Sequence, residues 1–97
     1  MFDETFEWDE NKNKSNFLKH GISFNEAQTV FSDDMAIYLA DDEHSEEEER
    51  FIVIGESART RLLVVCHCYR ENEMVIRLIS ARKAERPEME LYYGGAM

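Results

Sequence analysis

Three apolar runs joined by connections of only four residues constrain this chain more than any other feature. They occupy residues 50–56, 61–69 and 74–82. Each is rich in Val, Ile and Leu and sets one apolar series against another, as Phe51 and Val53 against Ile52 and Ile54. Parallel strands need a crossover of roughly a dozen residues. The connections 57–60 and 70–73 are far shorter, so the runs are expected to pair as antiparallel hairpins. Residues 35–39 supply a fourth strand, which makes a four-stranded antiparallel meander.

The segment ahead of the meander reads as helix. Phe6-Glu7-Trp8 alternates apolar and polar, a short strand signal. Asp9 then offers a carboxylate to the first free N–H groups of a helix over 10–20. Lys19 and His20 suit the negative end of its dipole, and Gly21 supplies the left-handed residue that ends it. Ser23-Phe24-Asn25-Glu26 has the form of a capping box. Phe24, Ala27, Val30 and Phe31 follow at helical spacing, so a second, core-facing helix is expected to end near Phe31. A last short helix begins near Pro87 and is stopped by Gly94-Gly95. The fold class is therefore α+β, with two N-terminal helices, the meander and a short C-terminal helix, the helices on one face of the sheet.

Ninety-seven residues make one domain, 1–97, with no room for a second core. The first residues are acidic and lack a basic-then-apolar leader, so a cytoplasmic location without membrane association is expected. Cys66 and Cys68 lie two apart in an apolar strand, a poor geometry for a disulfide, and read as small core residues. Zinc sites favour C-x₂₋₄-C spacing on turns, and a Cys66-His67-Cys68 strand points its ligands both ways. Neither a metal nor a cofactor is expected. The net charge of −10 is uneven: residues 1–49 hold fifteen acids and three bases, whereas 50–97 hold six acids and eight bases. That leaves −12 on the first half and +2 on the second, where a local basic surface is still available. The acidic run over 41–49 is either a solvated loop or a docking surface for a basic partner.

The order of these blocks resembles the BrnT family of toxins, whose fold is similar to that of RelE-type ribonucleases. The matching residues are Phe6-Glu7-Trp8-Asp9, Asn16 with Lys19-His20-Gly21, Ser23-Phe24-Asn25-Glu26-Ala27 and Val30-Phe31. Further on come Glu48-Glu49-Arg50-Phe51, Ile54-Gly55, Leu62-Leu63-Val64-Val65 with His67, and Ile76-Arg77-Leu78-Ile79-Ser80-Ala81-Arg82-Lys83-Ala84. The resemblance implies a toxin that cleaves RNA and slows translation. It implies neutralisation by a ribbon-helix-helix antitoxin, two toxins on an antitoxin dimer, with operator DNA touched only through the antitoxin. One departure is that Glu85, Glu88 and Glu90 are interleaved with Arg86 where the family is commonly basic. A catalytically weak member acting as antitoxin partner and co-repressor is the alternative.

RNA cleavage without a metal needs a base for the 2′-hydroxyl and cations for the phosphorane. His67 is the only histidine on an expected strand; it is either the general base or a hydrogen-bonded strand residue. Arg77, amid apolar neighbours, either holds phosphate or forms an ion pair, with Glu49 as a candidate partner. Arg82 and Lys83 at the strand end complete the catalytic set. Arg50 is expected to hold RNA phosphate or pair with Glu48, and Tyr93 to stack on a base or pack on the sheet. Lys19 and His20 read first as helix-end residues. Register decides whether His67 and Arg77 share a face: a 70–73 turn separates them, and a turn longer or shorter by one unites them.

Overall fold

The computed structural model describes residues 5–44 and 48–94. Strand β1 (Thr5–Glu7) leads into helix α1 (Glu10–His20) and the single turn α2 (Phe24–Ala27). Strands β2 (Ile37–Ala40), β3 (Phe51–Glu56), β4 (Leu62–Arg70) and β5 (Val75–Lys83) follow, then helix α3 (Arg86–Tyr92). The meander forms as the short connections require. It gains a fifth strand, however, because β1 adds to β5 in parallel, giving the order β1-β5-β4-β3-β2 and a mixed sheet. No helix among the described residues is long and apolar enough to cross a membrane.

Helix α1 starts and stops on its expected signals. The Asp9 carboxylate accepts the Asn11 N–H at 2.8 Å, and Gly21 sits at φ 74° with its N–H on the Phe17 carbonyl. The second helix is shorter than its apolar spacing suggests. Its α-helical part ends at Ala27, and Gln28–Ser32 continues as a 3-10 helix. Only half of the capping box forms. Ser23 accepts the Glu26 N–H at 3.1 Å, but the Glu26 carboxylate turns into the protein. It accepts from Ser57 Oγ at 2.7 Å and from Arg61 Nε at 2.9 Å, and a second Arg61 nitrogen closes a fork. A carboxylate this buried must be paired, and a guanidinium satisfies it better than one backbone N–H.

One face of the sheet packs under α1, α2 and the 3-10 segment. Ile22, Phe24, Ala27 and Val30 meet Val53, Leu63, Val65, Ile76 and Leu78 there, all essentially shielded from water. Each large side chain so buried contributes about 1.5–3 kcal/mol. Gly55 lets the 3-10 segment approach: a Cβ there would stand 3.2 Å from the Val30 carbonyl oxygen and from Ala36 Cβ. Helix α3 does not join the other helices. Tyr92 packs with Ile54, Val64 and Ala84 on the opposite face, and its hydroxyl donates to Asp33 at 2.6 Å. The odd and even residues of β3 and β4 feed two separate apolar clusters, so each face needs its own cover. Helix α3 covers only one end of this second face, which we term the open face.

The β4–β5 register is set by a turn over residues 71–74, one residue beyond the expected 70–73. Glu71, Asn72 and Glu73 all take positive φ there, and Arg70 faces Val75. His67 then faces Leu78, and Cys68 faces Arg77. Between Cys66 and His67 the register slips, leaving Ile79 as an extra residue on β5 before Ser80 faces Cys66. Arg77 and Arg82, five apart, would lie on opposite faces of an unbroken strand. This bulge puts both on the open face.

Candidate active site

The open face carries a cavity of about 310 Å³ walled by β3, β4, β5 and the end of α1. Its polar lining is His20, Asp41, Glu43, Arg50, Ser80 and Arg82, over an apolar floor that includes Ile52 and Val64. Two basic residues of this lining, Arg50 and Arg82, are among the residues expected to bind or cleave RNA. The third, His20, reads in the sequence first as a helix-end residue and only second as a catalyst. The signal that places it is Asn16, one turn earlier. Its side-chain amide donates to the Ala81 carbonyl at 2.8 Å and accepts the Ala81 N–H at 3.0 Å. Strand β1 covers β5 only from Val75 to Arg77, and Asn16 pairs with β5 further along the same strand as a peptide group would. The α1 C-terminus is thereby fixed beside Ser80 and Arg82.

Arg82 is held by α3. Its two terminal nitrogens donate to the two Glu88 oxygens at 3.1 and 3.0 Å, and Glu88 also accepts the Glu85 N–H at 2.6 Å, so one carboxylate caps the helix and orients the guanidinium. The Arg82 bond draws the Glu88 carboxyl below its usual range, and the carboxylate in turn raises the Arg82 guanidinium. Arg50 precedes β3 and also makes interactions within the protein. Cys66 opens onto the cavity, where burial and the neighbouring Asp41 carboxylate push its thiol up to about 11. It is therefore a poor nucleophile at neutral pH. Both cysteines are free thiols.

The other expected residues lie elsewhere. His67 is fully buried on the helix-packed face, with ring centroids of Phe31 and Tyr69 at 4.9 and 5.3 Å. Its Nδ1 lies 3.1 Å from the Val65 carbonyl, and burial lowers its pKa below the usual histidine range. Arg77 is on the other face, so a joint His67–Arg77 centre does not form. Arg77 pairs with Glu7 at 3.0 Å rather than with Glu49, because β1 brings Glu7 into direct register with it. Glu48 pairs with Arg70 at 3.0 Å, since β4 carries Arg70 out to that loop. Lys83 faces Leu63 and is exposed on the side of the sheet away from Arg82. Tyr93 is exposed at the end of α3, edge-on to Tyr92 at 5.0 Å. Of the acidic run, residues 45–47 lie outside the described residues; Asp41 and Glu43 face the cavity.

A comparison with curated proteins gives no match. Among solved structures, the 1.1 Å crystal structure of the Brucella abortus ribonuclease toxin BrnT shares the fold. The TM-score is 0.64 at 23% identity, over 87% of this chain and 100% of that one. Residues 8–88 match the family model of the ribonuclease toxin BrnT of type II toxin–antitoxin systems, a span that runs from Trp8 through the Arg82–Glu88 pair and includes every polar residue of the cavity wall. With so much of its length matched, this chain belongs to the BrnT toxin family of type II toxin–antitoxin systems.

Proposed function

We propose that this protein is a metal-independent endoribonuclease whose reaction takes place in the open-face cavity, slowing translation in the cytoplasm. The observation that carries the reading is the meeting of His20, Arg50 and Arg82 around one cavity. An RNA 2′-oxygen attacks the adjacent phosphorus, its proton passes to the His20 imidazole, and the P–O5′ bond breaks. The departing 5′-oxygen takes up a proton, leaving a 2′,3′-cyclic phosphate and a 5′-hydroxyl. Imidazole exchanges protons near neutral pH and is worth about 10²–10⁴-fold in such a role. Arg50 and Arg82 stabilise the charge that builds on the phosphorane oxygens. Glu88 is a positioning residue, acting through Arg82. His67, enclosed by aromatic rings, supports the core.

Family membership implies a cognate antitoxin. Resemblance to the family supports a ribbon-helix-helix partner in a two-to-two assembly that reaches operator DNA through the antitoxin. The acids of 41–49 are the docking surface for its basic residues.

The test is RNA cleavage by protein freed of antitoxin, beside His20→Ala, Arg82→Ala and His67→Phe. Loss of about 10²-fold or more in the first two, with cleavage by the third, supports the reading. Intact RNA with wild-type protein refutes it. One observation favours a second reading, a weakly catalytic antitoxin partner: the carboxylates of Asp41 and Glu43 share the cavity and oppose phosphate entry. Repression of the operon by the complex without RNA cleavage by the toxin would decide for it.

A further inference from the structure

Resting on the ribonuclease reading, we propose that Lys12 and Lys19 form a track on α1 that holds the backbone of single-stranded RNA as it enters the cavity. Positive charge is scarce on a protein of net charge −10, and most of it is committed. Arg61, Arg70, Arg77, Arg82 and Arg86 each hold a carboxylate of this same chain. Lys12 and Lys19 are exposed and pair with no carboxylate among the described residues. An anion approaching this surface meets free cations on α1 and neutralised ones across much of the sheet.

Their placement is specific. Seven residues make nearly two helical turns, so Lys12 and Lys19 share one flank of α1 about 10 Å apart along its axis. Asn16 is the buried line of the helix, with the lysines on one side of it and Asn13 on the other; Asn13 accepts the Phe24 N–H at 2.8 Å and faces α2. The lysine flank is the one turned away from α2. Lys19 directly precedes His20, which lines the cavity, and Asn16 anchors the same helix to Ala81 beside Arg82. The track therefore ends at the cavity wall. Lysine suits the task, because a mobile point charge follows a backbone without demanding one geometry. Two cations on the helix also offset the repulsion that Asp41 and Glu43 impose at the mouth.

The experiment uses the full chain freed of antitoxin and a fluorescent single-stranded oligoribonucleotide, 2′-O-methylated throughout so that it cannot be cleaved. Binding is followed by anisotropy between 50 and 200 mM salt. Each single-strand phosphate contact contributes about 0.7 to the slope of log K against log salt. The Lys12→Ala/Lys19→Ala double variant should lower that slope by about 1.4. On cleavable RNA it should raise KM while kcat holds. Lys14→Ala, half a turn round the helix, should keep the wild-type slope. Circular dichroism melts confirm that each variant folds. A wild-type slope in the double variant overturns the proposal and leaves the ribonuclease reading standing. So does weaker binding of the antitoxin with RNA binding unchanged, which would make the flank a protein interface. A wild-type protein that neither binds the oligonucleotide nor cleaves RNA overturns the ribonuclease reading, and the track with it.

Discussion

Removing the Asn16 amide should unfasten α1 from the sheet. The side chain is buried and makes three hydrogen bonds to main chain: to the Ile22 carbonyl at 2.9 Å, to the Ala81 carbonyl at 2.8 Å, and from the Ala81 N–H at 3.0 Å. In Asn16→Ala the Ala81 N–H loses its acceptor at a point where β1 no longer covers β5. A buried donor left unsatisfied costs about 1–3 kcal/mol, and the two lost carbonyl bonds add about 0.5–1.5 kcal/mol each. With partial relaxation and water entry, roughly 2–4 kcal/mol is expected. In a domain of this size each kcal/mol lowers Tm by about 4–8 °C, so thermal melts should shift by roughly 10 °C or more. Asn16→Asp sharpens the test. It keeps the acceptor for the Ala81 N–H but sets a carboxylate against two carbonyl oxygens. At neutral pH it should be less stable than Asn16→Ala, and it should recover as the carboxyl protonates. A melt of Asn16→Ala within about 2 °C of wild type would refute the reasoning. So would an Asp variant as stable as the Ala variant at pH 7.

Arg61→Ala strands a buried carboxylate and should cost about 3 kcal/mol by chemical denaturation, whereas Glu26→Gln strands a partly exposed guanidinium and should cost less. Because Arg61 holds the Glu26 pKa below its ordinary value, the pair's contribution is full above the unfolded carboxyl range and is lost as pH falls through the folded pKa. His67 has its pKa lowered by burial, so its neutral form stabilises the fold above about pH 6.5 and the benefit declines on acidification. Melts of His67→Phe from pH 7 to pH 5.5 should accordingly fall less steeply than those of wild type, and equal slopes would count against it. Glu88→Gln keeps an acceptor for the Glu85 N–H but loosens the Arg82 fork; kcat for RNA cleavage should fall about 10-fold with little change in KM or Tm. Reversing the charge of Asp41, Asp42, Glu48 and Glu49 should weaken antitoxin binding in calorimetry, and an unchanged affinity would remove that loop from the interface.

How much of this was readable in advance follows the range of the forces involved. Caps and turns act within four residues, so Asp9, Gly21, the Ser23 cap and the hairpins were legible. The alternation of β3 and β4 likewise announced a two-faced sheet. Residues expected to act together were a different matter. Residue type and the family resemblance single out Arg50 and Arg82, and both reach one cavity. Histidine is chemically apt and His67 falls in a block that resembles the family, yet the parity of β4 carries it into the aromatic core. His20 reads first as a helix end because nothing local ties that end to a strand some sixty residues later.

The sequence by itself determined the α+β class, the helix ends, the antiparallel meander and, through its spread of matching blocks, the family. Tertiary structure alone decided four things. It paired β1 with β5, the first and last strands, where no short connection could signal the contact. Through an extra residue at Ile79 it turned Arg77 and Arg82 onto one face. It laid α3 on the open face, so that Glu88 meets Arg82. It used Asn16 to set His20 beside the cavity. Each depends on groups distant in sequence meeting across the sheet, where register and burial choose the partner and local propensity does not.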